Sequence, residues 1–94
     1  MGQTQFMVKN YMEVCVQDMM KLVLTKINAC QCEKCSSDIM AIALNSLPPK
    51  YVVTQKGELY SKLALLRQQF DVDIIAAITK AAVIVGRAPR HEQE

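Results

Sequence analysis

Cys30-Gln-Cys32-Glu-Lys-Cys35 gathers three thiols into six residues. A C-x-C-x-x-C knuckle brings soft sulfur donors together with no long-range folding. Thiolates at that spacing can close on one tetrahedral ion, and zinc takes S and N ligands in that geometry. Three sulfurs leave one position to fill. His91, the one histidine of the chain, is the fourth residue counting back from Glu94 and is the candidate ligand. Cys15 and water are alternatives for that fourth position. The other reading of the knuckle is three ordinary free or disulfide-linked cysteines. A site with every position filled by Cys and His would be structural, because a catalytic zinc keeps one position open for water.

Other chemistry finds little support. One histidine leaves little room for a hydrolytic triad or a multi-His catalytic metal. The glycines stand alone at Gly2, Gly57 and Gly86, so no phosphate-cradling loop exists. Cys32 and Cys35 also read as C-x-x-C, but a thioredoxin-like pair expects a βαβ setting. The chain offers a helix before the motif and none of the strands.

The elements that must position these residues fit one domain, 1–94, with a polar tail from about residue 88. The composition is globular: 51 % hydrophobic, with aliphatic residues and Met in place of Trp. A net charge of +2 gives no argument for direct nucleic-acid binding. No apolar run reaches the ~18 residues a membrane span needs, and the first residues lack the pattern of a signal peptide. Clustered cysteines in such a chain suit a reducing cytoplasm.

Periodicity predicts a mostly α fold: a small four-helix domain with a zinc knuckle between helices one and two and one short extended segment. Helix one is expected over about 5–27, with Val8, Met12, Cys15, Met19 and Leu22 on one face. Cys15 then reads as a small core residue. Helix two is expected over 37–46, capped from Ser36-Ser37-Asp38 and stopped before Pro48-Pro49. The β-branched and aromatic run 50–54 reads as a strand, which must pair with something, a symmetry mate being one option. Helix three is expected over about 58–69, with Leu59, Leu63, Leu66 and Phe70 on one face and a Glu58–Lys62 pair on another. Asp71 would cap helix four, which Gly86 would end. That last helix is apolar nearly all round, from Ile74 to Val85. So few residues cannot cover it, which predicts a homodimer with this helix and the 51–54 segment at or near the interface.

Several blocks together resemble the late competence development protein ComFB family. They are Asn10-Tyr11-Met12-Glu13, the knuckle, Ala43-Leu44-Asn45-Ser46-Leu47-Pro48-Pro49-Lys50-Tyr51-Val52 and Arg87-Ala88-Pro89-Arg90-His91. The likeness runs from about residue 8 to 91, and the A-L-N-x-L-P-P-x-Y-V block is its most specific part. The resemblance implies a small, helical, cytoplasmic homodimer without known enzymatic activity. Cysteine-bearing members look like zinc proteins whose knuckle is completed just after the final Pro-Arg, which agrees with His91. A cyanobacterial branch binds cyclic di-GMP and shares the A-L-N-x-L-P-P-x-Y block. That branch lacks the cysteine knuckle and ends its helix differently from Gly86-Arg87-Ala88-Pro89.

Two functions follow as expectations. One is a ligand-binding regulatory protein, in which a dimer sets Tyr51, Arg67, Arg87 and Arg90 around cyclic di-GMP. Arginine forks suit phosphates and guanine edges, and Tyr51 would stack on a base. Otherwise the arginines are solvated surface charges and Tyr51 anchors the Pro-Pro turn to the core. The other function is a protein–protein adaptor whose zinc only staples the fold.

Overall fold

The computed structural model describes residues 8–53 and 58–87, with side chains in the latter stretch described at 65 and from 68 onward. Two strands and three helices follow in the order β1 (Val8–Asn10), α1 (Tyr11–Lys26), α2 (Glu33–Ser46), β2 (Tyr51–Val53) and α3 (Glu58–Arg87). The mostly helical expectation holds, but helices three and four are one helix of 30 residues. Asp71 lies inside it rather than capping anything. No glycine or proline stands between 58 and 85 to break the backbone, so propensity carries the helix through. Gly86 falls one residue short of the last helical residue, Arg87.

Helix one starts later than its periodicity predicts. Val8–Asn10 is a strand paired antiparallel with β2, in the register Val8↔Val53, Lys9↔Val52 and Asn10↔Tyr51. The 51–53 strand thus finds its partner within the chain. Asn10 makes the switch from strand to helix. Its backbone is extended, and its Oδ1 accepts the Met12 N–H at 3.2 Å as the N-cap of α1. At the far end Asn28 takes a left-handed φ of 57°, and the Ala29 N–H reaches the Leu24 carbonyl at 2.9 Å. That closes α1 in the manner Asn tolerates better than β-branched residues.

The core is a three-way seam of Met12, Cys15, Val16 and Met19 on α1, Cys35, Ile39 and Ala43 on α2, and Ile74, Ile78 and Ala81 on α3. No charged or polar side chain is buried among the described residues. Met fills the irregular gaps between helices, and the alanines of α3 let its backbone come close. Each fully buried Ile contributes about 1.5–3 kcal/mol relative to exposure. Of the expected helix-one stripe, Met12, Cys15 and Met19 are buried, while Val8 and Leu22 are exposed. Val8 has left the helix, and Val23 takes the place expected of Leu22. Phe70 packs against the core edge. The Leu59, Leu63 and Leu66 side chains, the Glu58–Lys62 pair and the turn at Gly57 lie outside the described residues.

The Leu47-Pro48-Pro49-Lys50 turn is pinned on both sides. Leu47 ends α2 with an extended backbone, as a residue before proline must, and buries its side chain. The Lys50 ammonium sits 4.8 Å from the centre of the Phe70 ring. Ile78 is fully buried inside the single chain, so it belongs to the core and not to an outer face. The outer face of α3 carries Leu65, Val72 and Val83, with Val72 77 % exposed.

Candidate metal centre

The knuckle spans the α1–α2 connection and the first turn of α2. Helix two begins four residues earlier than expected, because its cap is not Ser36, Ser37 or Asp38. Cys32 is the N-cap: its backbone is extended and its Sγ accepts the Cys35 N–H at 3.3 Å. The Ser36 N–H donates to the Cys32 carbonyl at 2.8 Å, the first full helical bond. Thiols stand outside the usual set of capping residues, which is why the sequence pointed to the serines.

The three sulfurs of Cys30, Cys32 and Cys35 all lie within 4.8 Å of one another. Cys30 and Cys32 are exposed and Cys35 is buried, 1 % accessible. Burial pushes the Cys35 thiol up to about 12, and hydrogen bonding with Cys32 and then Cys30 pushes it the same way. In a tetrahedral zinc site with Zn–S near 2.3 Å, sulfurs stand about 3.8 Å apart. The observed separations need to close by about 1 Å or less, so the donor set and its spacing fit a metal ion. Cys15, the alternative fourth ligand, is buried in the core on α1 and is not part of the cluster. His91 lies outside the described residues, as do Arg90 and the tail.

Within one chain Arg67 and Arg87 stand far apart, two thirds of the length of α3 from each other. Tyr51 is 67 % exposed on β2, so it does not anchor the turn to the core. Its pairing with Asn10 puts it on the face of the ribbon that also carries Val8 and Val53, both exposed. Arg87 is exposed at the last residue of α3. Arg67 belongs to the same helix, and twenty residues of rise put its backbone about 30 Å from that of Arg87. What the sequence reading missed is the Asn10 side chain. It holds both the start of α1 and, through the Lys50 N–H at 2.8 Å, the proline turn.

Among the described residues no helix is long and apolar enough to cross a membrane. The chain is similar to Competence protein ComFB of Bacillus subtilis (strain 168), at 26 % identity over 84 residues, covering 88 % of this chain and 86 % of that protein. Its fold matches the structure described as "Structural characterization of the late competence protein ComFB from Bacillus subtilis", with a TM-score of 0.77 at 23 % identity, covering 94 % of this chain and all of the other. The family model of late competence development protein ComFB matches residues 9–89, and with that span the chain belongs to the ComFB family.

Proposed function

We propose that this protein is a non-enzymatic cytoplasmic regulator of ComFB type, built around a structural zinc centre and working as a homodimer. The family is one of competence proteins and not a known enzyme family. The observation that carries the reading is the cluster of Cys30, Cys32 and Cys35 with all sulfurs within 4.8 Å. His91 is the fourth ligand in this reading, tying the tail to the α1–α2 loop. Bound zinc would supply a fixed charge and a covalent staple, which a domain of this size lacks. A metal assay on the purified protein tests it: one zinc per chain supports the reading, and well under one sinks it.

The homodimer is supported by α3. Its inner face buries Ile74, Ile78, Ala81 and Val85, while Leu65, Val72, Ala76 and Val83 line the opposite side. An apolar stripe of that length on a lone domain calls for cover. Two copies of α3 packed antiparallel and crossing near Ala77 would bring the turn of Arg67 in one copy level with the turn of Arg87 in the other, which removes the separation of about 30 Å along the helix axis. Arg87 follows Val83 at helical spacing and so borders the outer face, where it offers a cationic fork to a dianionic ligand such as cyclic di-GMP. A groove between Leu47-Pro48 and Asp73, Ala76 and Lys80 joins the A-L-N-x-L-P-P block to this same side of α3. Calorimetry with cyclic di-GMP decides the ligand. A flat trace well above micromolar concentrations leaves the zinc-stapled adaptor, with a protein partner in place of the nucleotide.

A further inference from the structure

Cys32 and Cys35 have a relationship that a metal centre does not exhaust. Cys32 is the exposed N-cap of α2, and Cys35 is the buried residue one turn into the helix. The Cys35 amide donates to Cys32 Sγ at 3.3 Å, so the outer sulfur lies over the backbone of the inner residue. The two sulfurs lie within 4.8 Å of each other. One sulfur in water with a second directly behind it, across the first turn of a helix, is the local arrangement in which C-x-x-C dithiols open and close. The missing βαβ setting concerns the surrounding fold and not this turn.

We propose that Cys32 and Cys35 form a reversible dithiol–disulfide couple whenever the knuckle is free of metal, with Cys32 attacking and Cys35 resolving. Oxidation then removes two ligands at once, so an oxidised knuckle takes up no metal until it is reduced. This consequence for the metal rests on the zinc reading above, whereas the thiol chemistry stands without it.

Hydrogen peroxide is the oxidant. Cys32 Sγ gives its proton to water and attacks one peroxide oxygen. The O–O bond breaks, and the departing hydroxide takes up a proton to become water. Cys32 is then a sulfenic acid. Cys35 Sγ attacks that sulfur, the S–O bond breaks, and the hydroxide leaves as a second water with the Cys35 proton. Two thiols and one peroxide have become one disulfide and two waters. A thiol such as reduced glutathione returns the two electrons by exchange.

The sequence supplies its own assay. Lys34 separates the two cysteines, and Lys26 and Lys50 flank them. Trypsin therefore releases 27–34, carrying Cys30 and Cys32, and 35–50, carrying Cys35. Full-length protein is stripped of metal with a chelator, titrated with hydrogen peroxide, alkylated and digested. The two peptides should be joined, lighter by two hydrogens, with the helical circular dichroism unchanged. The joined pair should persist in Cys30→Ser, vanish in Cys32→Ser and in Cys35→Ser, and revert with reduced glutathione. Zinc saturation should slow its formation at least tenfold. Oxidation confined within 27–34, a joined pair lost in Cys30→Ser, or sulfinic acid with no joined pair would each overturn the proposal. Zinc content of the untreated protein is measured separately. A protein that binds zinc but never joins the peptides fails here alone, and one that joins them without ever binding zinc fails only the metal centre.

Discussion

Asn10 Oδ1 accepts the Lys50 N–H at 2.8 Å across forty residues of chain, while also capping α1 through Met12. One side-chain oxygen thus fixes the helix start and the Pro-Pro turn. In return the Tyr11 N–H donates to the Lys50 carbonyl at 2.6 Å. Asn10→Ala removes a cap and leaves a half-buried amide unpaired. The expected cost is about 1–3 kcal/mol, and for a domain of this size each kcal/mol lowers Tm by roughly 4–8 °C. Thermal unfolding checks it. Zinc content should not change, because the knuckle is at the other end of α1.

The Cys35 thiol sets a pH dependence. Its ordinary value of 9.0 is raised to about 12 in the fold. Between those values the unfolded chain has lost the proton and the folded chain keeps it. The unfolded state then binds fewer protons, so stability falls as pH rises. The stabilisation is complete below about pH 9 and declines above it. Metal-free protein should lose Tm steadily from pH 9 upward, and Cys35→Ala should flatten that slope. Zinc binding must expel the same proton. Its affinity should therefore rise with pH, and calorimetry in two buffers of different ionisation enthalpy should register proton release.

The two faces of α3 give opposite phenotypes. Ile78 is fully buried, so Ile78→Asp places an unpaired carboxylate in the core and should cost several kcal/mol, enough to unfold the chain. Val72 and Val83 are exposed, so Val72→Asp and Val83→Asp should keep the circular dichroism spectrum. In sedimentation both should be monomeric where the parent protein is a dimer. A parent protein that is monomeric at tens of micromolar, a range of weak self-association, argues against the antiparallel α3 pair.

The nucleotide reading has its own variants. Arg67→Ala and Arg87→Ala should each weaken cyclic di-GMP binding in calorimetry while leaving the zinc content unchanged. The affinity of the parent protein should fall as salt is added, because cationic side chains meet two phosphates.

How much of this was legible follows from which residues act locally. Pro48-Pro49 stops α2 by sterics alone, and Met12, Cys15 and Met19 show their face at helical spacing, so both are legible from local signals. Periodicity of about 3.6 residues extends to Val8 and predicts it in the helix. Its pairing with Val53 is long-range, and no local signal carries it. Asp71 looked like a cap because Asp often is one, yet without a glycine or proline nearby the helix runs on. At the knuckle the cysteine spacing announced the cluster. The helix start at Cys32 did not follow from it, because a sulfur took the role usually filled by an oxygen.

The β1–β2 ribbon has a consequence for the order of events in folding. Pairing Val8 with Val53 closes a loop that contains all of α1 and α2. That closure is expensive for an open chain and cheap once the two helices have folded back on each other. The ribbon therefore forms after the α1–α2 hairpin and, having only three residues a side, opens before it. Its backbone amides should exchange with deuterium well ahead of those at Val16 or Ile39. The strand that carries Tyr51 is thus the part of the described chain that a binding partner can rearrange at least cost.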